Sequence, residues 1–231
     1  MAGARAELQA ARQHEQELTR RLDAHDAGFS ANSEAYARAQ AERRESLGEM
    51  ESLQLATTDA DERVQRERQH IADLEALVNS ESPSNHHELL ERSAACLTDI
   101  FVRRLGHAPT IIPSEHGPHL TWSGGGTPKV LIVGHHDTVF PVGTVAARPF
   151  AVRDGKATGP GVFDMKAGLV QAIHGVAALA DHSGVEFFIN SDEEIGSTES
   201  RELIEQAALR CGAVLVFEAS ADGGALKTGR K

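Results

Sequence analysis

Up to about residue 80 the apolar residues recur every three or four positions, and after residue 106 they come in short blocks. In the first stretch the spacing Ala4, Leu8, Ala11, Glu15, Leu18, Leu22, His25, Phe29 follows an a/d heptad with two polar members. The stretch is rich in Ala, Glu, Gln, Arg and Leu, so helix is expected almost throughout. Breaks are expected at Gly28 with Ser30-Ala-Asn-Ser33, and again at Leu55-Ala-Thr-Thr-Asp59. A helix with a better apolar face follows, through Val64, Ile71, Leu74, Leu77 and Val78, ending at Ser80-Glu-Ser-Pro83. Asn85 with Glu88 reads as a capping box opening a further helix through Leu90, Ala94, Leu97, Phe101 and Leu105, closed by Gly106.

The later blocks read as strands: Thr110–Ile112, His119–Trp122, Lys129–Val133, Val185–Ile189 and Ala213–Phe217. Helical patterns at about 165–181 and 198–209 alternate with the last three. Asp154-Gly155 between Phe150–Arg153 and Lys156–Thr158 signals a hairpin. The expectation is an α/β fold: a largely parallel sheet with flanking helices, preceded by an α-helical N-terminal extension. Residues 1–65 form the extension and 66–231 the α/β domain.

Composition reinforces this division. All eight prolines lie at Pro83 or later, and the first lysine is Lys129. A net charge of −11 gives no basic footprint for nucleic acid or an anionic membrane. No apolar run is long enough to span a bilayer, and the first residues lack a secretory apolar core. Two cysteines, Cys96 and Cys211, make no disulfide framework, which suits a reducing compartment and a cytoplasmic location. The weak seam of residues 1–65 leaves helical self-association and a solvated helical hairpin both open.

The candidate chemistry lies at the strand ends. His135 and Asp137 follow the Lys129–Val133 block, Asp192, Glu193 and Glu194 follow Val185–Ile189, and Glu218 follows Ala213–Phe217. Asp164 opens a helix after Gly159-Pro-Gly161. Ligands of open α/β sheets bind at the carboxyl edge of the strands. Several acids and a histidine converging there repel one another unless a cation intervenes, and this donor set suits zinc or a similar divalent ion. His135 and Asp137 sit two apart in extended chain, so Asp137 can accept the second ring N–H of His135. Such a site supports metal-assisted hydrolysis with a carboxylate base. There is no His-Glu-x-x-His, Gly-x-Ser-x-Gly, dinucleotide fingerprint or P-loop.

Four segments carry a resemblance: Gly134-His-His-Asp-Thr-Val139, Gly159-Pro-Gly-Val-Phe-Asp-Met-Lys-Ala-Gly168, Ser191-Asp-Glu-Glu-Ile-Gly-Ser197 and Phe217-Glu218. In order and spacing they resemble the di-zinc hydrolases that include carboxypeptidase G, acetylornithine deacetylase, succinyl-diaminopimelate desuccinylase and aminoacylase. The resemblance covers about residues 70–231, an incomplete zinc-exopeptidase-like catalytic domain. It implies that His135, Asp164 and Glu218 hold one metal, that Asp164 bridges to a second held by Glu194, that Asp137 orients His135, and that Glu193 is the general base. It implies substrates with an amide beside a free carboxylate, N-acyl amino acids or small peptides. Gly134–Pro141 and Glu218 look closest to the glutamate-releasing carboxypeptidase branch.

The resemblance also implies a lid domain, and a final segment with a last metal-binding histidine, after a motif such as Thr228-Gly-Arg-Lys231, where the sequence stops. On that expectation the first zinc site keeps three ligands and the second is weak or empty, with Co²⁺ or Mn²⁺ as alternatives to Zn²⁺. A non-catalytic interaction protein, a helical module on a degenerate hydrolase domain, is the alternative function.

Overall fold

The structure, a computed structural model, describes residues 2–220 and 224–228, with side chains from residue 12 onward. The side chains of Ala4, Leu8 and Ala11 and the residues Gly229–Lys231, on which expectations above fall, lie outside the described residues. The chain divides into two units, Met1–Val64 and Gln65–Lys231.

Helix α1 runs Ala2–Asn79, so neither expected break occurs. A single exposed glycine costs a helix only about 1 kcal/mol relative to alanine, which a long run of good helix formers absorbs. At the second site the Thr57 and Thr58 hydroxyls donate back to the carbonyls of Leu53 (2.8 Å) and Gln54 (3.0 Å), satisfying themselves within the helix. Every described residue from 12 to 69 is exposed. The last turns of α1 are different: Asp73, Leu74, Leu77 and Val78 are buried.

Helix α2 spans His87–Leu105. The expected capping box is not formed: His86 is the cap residue and makes no side-chain cap bond. Asn85 instead takes a left-handed conformation (φ 64°) in the turn where the His86 N–H donates to the Pro83 carbonyl. Asparagine tolerates that conformation better than most residues, so the turn takes the residue that the cap would have used.

The main sheet has the order β1-β2-β6-β3-β7, with β1 Thr110–Ile112, β2 His119–Ser123, β3 Val130–His135, β6 Val185–Asn190 and β7 Ala213–Val216. Strands β6, β3 and β7 are parallel, whereas β1 and β2 form an antiparallel edge. The hairpin β4 Ala151–Arg153 and β5 Lys156–Thr158 turns through Asp154 (φ 51°) and Gly155 (φ 73°), the paired positive angles a two-residue hairpin requires. A one-turn helix α3 (Thr144–Ala147) precedes it, while α4 (Ala167–Ala177) links β5 to β6 and α5 (Arg201–Ala208) links β6 to β7.

Both faces of β3 and β6 are covered, which explains their continuous apolar runs, whereas all four residues of the edge strand β7 are exposed. Ile132 and Phe187 join the larger core with Leu77, Leu97, Phe101 and Ile173, while their neighbours Leu131 and Phe188 pack with Ala207 of α5. Asp73 holds the end of α1 in place, bonded by Arg104 (2.7 Å), Arg103 (3.1 Å) and His174 (2.8 Å). Among the described residues no helix is long and apolar enough to cross a membrane.

Candidate metal centre

Strand β3 lies between β6 and β7 and parallel to both, so the loops leaving all three emerge on one edge of the sheet. His135 is the last residue of β3 and pairs with Asn190 at the end of β6. Its ring is buried. The backbone N–H of His135 faces the Met165 sulfur at 3.1 Å, in the irregular turn Val162–Lys166 that also carries Asp164. Asp164 (φ −125°, ψ 98°) and Met165 (φ −126°, ψ 28°) leave helical geometry there, and the peptide between them is cis.

Nδ1 of His135 lies 3.0 Å from the Asp137 carbonyl oxygen and 3.3 Å from its carboxylate Oδ1, both acceptors, so this nitrogen carries the proton. Nε2 then faces Asp164 Oδ1 at 3.1 Å, Glu218 Oε1 at 3.3 Å and Glu193 Oε2 at 4.0 Å. A neutral ring would aim a lone pair at carboxylate oxygens, which is unfavourable unless a positive charge sits among them. Burial lowers the His135 pKa, but the bonds to Asp137 and Glu218 outweigh it and push it up to about 11. The donor set therefore fits a cation. Ligand atoms of His135, Asp164 and Glu194 also lie within 4.8 Å of one another, a grouping suited to a metal ion.

Burial, with the surrounding carboxylates Glu218, Asp137 and Asp164, holds the Glu193 carboxyl above its ordinary range. Burial likewise raises Glu194. Glu218 is lowered by its bond from His135. Burial pushes Asp137 up, yet the bonds from His135 and Ser84 leave it below the usual range.

All six sequence-predicted residues, His135, Asp137, Asp164, Glu193, Glu194 and Glu218, lie in this one cluster. The fifth acid of the strand ends does not. Asp192 is fully buried and accepts from Ser200 Oγ (2.6 Å), the Glu199 N–H (2.8 Å), the Ser200 N–H (3.2 Å) and Asn190 Nδ2 (3.1 Å), fastening the loop to the start of α5. His136 points away from the cluster and bridges Ser93 Oγ (3.2 Å) and the Pro118 carbonyl (3.0 Å).

Sequence reasoning missed Ser84. The segment Ser82–Ser84 runs alongside the exit of β3, with Pro83 bridged to Thr138, and Ser84 Oγ donates to Asp137 Oδ2 at 2.8 Å. The only hint was the Ser-Pro-Ser string, because the residue before proline favours extended backbone. Asp137 also accepts the backbone N–H groups of Glu193 and Glu194, each at 3.2 Å. One carboxylate thus orients the histidine and holds the turn bearing two acids. At Gly168 a Cβ would collide with the Phe217 carbonyl oxygen, so only glycine lets α4 approach the residue before Glu218 so closely.

Fold and cluster together define an α/β domain whose strand ends gather a histidine and carboxylates that could hold a cation. Residues 131–230 match the model of Peptidase family M20/M25/M40. Carboxypeptidase G2 of Pseudomonas sp. (strain RS-16) is 32% identical over 163 residues, covering 66% of this chain and 39% of that protein. Succinyl-diaminopimelate desuccinylase of Anaplasma marginale (strain Florida) is 42% identical over 74 residues, covering 31% of this chain and 19% of that protein. The chain thus spans well under half the length of these relatives.

Among solved structures, an M20 family metallo-carboxypeptidase, Sso-CP2 from Sulfolobus solfataricus, superposes with a TM-score of 0.56 at 19% identity, covering 67% of this chain and 38% of its own. Human carnosine dipeptidase 1 gives a TM-score of 0.52 at 20% identity, covering 67% and 39%. These two likenesses concern the fold.

Proposed function

We propose that this chain carries the metal-binding half-site of a hydrolase acting on an amide bond beside a free carboxylate, in an N-acyl amino acid or small peptide. The observation that carries the reading is His135 Nε2 aimed at carboxylate oxygens of Asp164, Glu193 and Glu218, with the match of residues 131–230 to a peptidase family pointing the same way. His135, Asp164, Glu218 and Glu194 would hold zinc, with Co²⁺ or Mn²⁺ as substitutes. When bound, the ion supplies a Lewis acid that polarises the scissile carbonyl and acidifies water.

The chain's own residues do the rest. Asp137 fixes the His135 tautomer, leaving Nε2 free to coordinate. Glu193, whose carboxyl is held above its ordinary pKa by burial, is suited to take a proton from the attacking water and return it to the leaving amine. Asp137 also positions Glu193 through its backbone N–H. The names of the relatives, a carboxypeptidase and a desuccinylase, support an acyl-amino-acid or peptide substrate.

The test is metal content and turnover on the same preparation. About one tightly held divalent ion per chain is expected from three-ligand logic, with chelator-sensitive hydrolysis in a panel of N-acyl amino acids and dipeptides. No affinity for any divalent ion would overturn the reading. Metal binding without turnover across the panel would favour the alternative, a non-catalytic interaction protein, which the exposed residues 12–64 also support.

A further inference from the structure

Because α1 is unbroken, the heptad begun at Leu18 and Leu22 continues in phase well past Phe29. With Leu22 as position a, the a positions include Phe29, Tyr36, Met50 and Val64, and the d positions include Leu18 and Leu53. Residues 12–64 contain nine large apolar side chains, and these seven of them fall on a or d; only Leu47 and Leu55 do not. Two sevenths of the positions hold most of the apolar bulk. All seven are exposed, from 47% for Val64 to 72% for Phe29. Ala39 and Ala60 occupy further d positions.

Two physical arguments say that this stripe is covered. A helix draws most of its stability from packing an apolar face, and no described side chain from 12 to 64 has any such packing. Burying seven large side chains also removes on the order of 600 Å² per helix, close to the area per partner of a stable complex.

The flanking charges indicate what covers it. Positions e and g between residues 12 and 64 carry Arg12, Arg21, Asp26, Glu42, Glu49, Asp61 and Arg63, a mixture of signs despite the acidic composition of the whole segment. In a parallel, in-register pair each g residue meets the e residue five positions on in the other helix. Arg21 then meets Asp26, twice by symmetry, and no like-charged g–e pair arises before Arg63, whose partner Arg68 lies beyond the stretch. The basic member of the a row, Arg43, would sit beside Glu42 at g of the other helix.

We propose that residues 12–64 pair with a second copy of this chain as a parallel, in-register two-stranded coiled coil, with Leu22, Phe29, Tyr36 and Met50 as central layers. The proposal is independent of the hydrolase reading, because it uses no residue of the metal centre.

Sedimentation equilibrium of the full chain at micromolar concentration gives twice the chain mass. Combining Phe29→Glu with Tyr36→Glu returns it to the single-chain mass, while metal content is unchanged. Leu55→Glu, on the outward f position, leaves the dimer intact. Ala39→Cys, at a d position, yields under oxidation a covalent dimer beyond any formed through Cys96 and Cys211 in the unmodified chain. A single-chain mass for the unmodified protein, a dimer surviving the double glutamate change, dissociation by Leu55→Glu, or a dimer without the Ala39→Cys cross-link would each overturn the proposal.

Discussion

In the unit ending at Val64, Phe29 and Tyr36 stand in solvent, whereas Phe101, Trp122 and Phe187 of the following unit pack ring against ring inside the core. Polar groups divide the same way. The hydroxyls of Thr19, Thr57 and Thr58 bond only to carbonyls four residues back, while the bonds of Ser84 to Asp137 and of Ser93 to His136 join segments 53 and 43 residues apart in sequence. The helix is specified by local rules and the α/β unit by distant partners. Chemistry needs the second kind of organisation, because a reactive group must be held from several directions at once.

The sharpest way to break this contrast is Glu193→Gln. We expect turnover to fall by about 10²–10⁴-fold, the usual worth of a general base, with bound metal unchanged on elemental analysis. A loss of metal in step with activity would make Glu193 a ligand instead. Activity equal to the parent would remove it from the reaction.

A pair of phenylalanines measures the contrast in stability. Phe101→Ala should lower the unfolding free energy of the α/β unit by about 3–5 kcal/mol in urea titration, as a fully buried aromatic does. Phe29→Ala, which lies in the other unit, should change that transition by less than about 0.5 kcal/mol, any loss falling on the pairing of the helix instead. Equal effects would mean that the two units unfold together.

His136 supplies a pH test that the exposed helix cannot imitate. Complete burial drives its pKa down to about 4, and its ring bonds to Ser93 and Pro118 suit the neutral form. The unfolded chain takes up this proton below about pH 6.5 and the folded chain does not. Stability from this group is therefore full above that pH and declines as pH falls toward 4, by on the order of 3 kcal/mol in all. His136→Gln should flatten this part of the stability profile, which denaturant midpoints at pH 7 and 4.5 would record.

The smallest effect belongs to Ser84→Ala. Removing the donor to Asp137 should cost about 1 kcal/mol of stability and weaken zinc affinity by about tenfold, read by competitive chelator titration. Unaltered zinc affinity would reduce Ser84 to a surface contact.

These residues also mark what could be read without coordinates. Strand blocks, the Asp154-Gly155 hairpin and the acids at strand ends were visible because they follow period, turn chemistry and a fixed place in a repeating strand–helix unit. The unbroken helix was not, because Gly28 and Thr57-Thr58 look like punctuation while the run of helix formers around them decides the outcome. Asn85 was misassigned for a related reason: cap and turn compete for the same residue type. Ser84 and the separate duty of Asp192 were invisible, since both depend on partners that only tertiary folding supplies. Nothing in Asp192-Glu-Glu194 itself says that the first acid braces α5 while the next two face His135.

The bonds from the Glu193 and Glu194 amides to Asp137 have a consequence for measurement. Both protons depend on the same carboxylate, so local opening of the turn should release them to solvent exchange together. Protection of the pair, followed by hydrogen–deuterium exchange, then rises when zinc is added and falls in Ser84→Ala. Order at the centre becomes readable from two backbone protons, before any substrate is found.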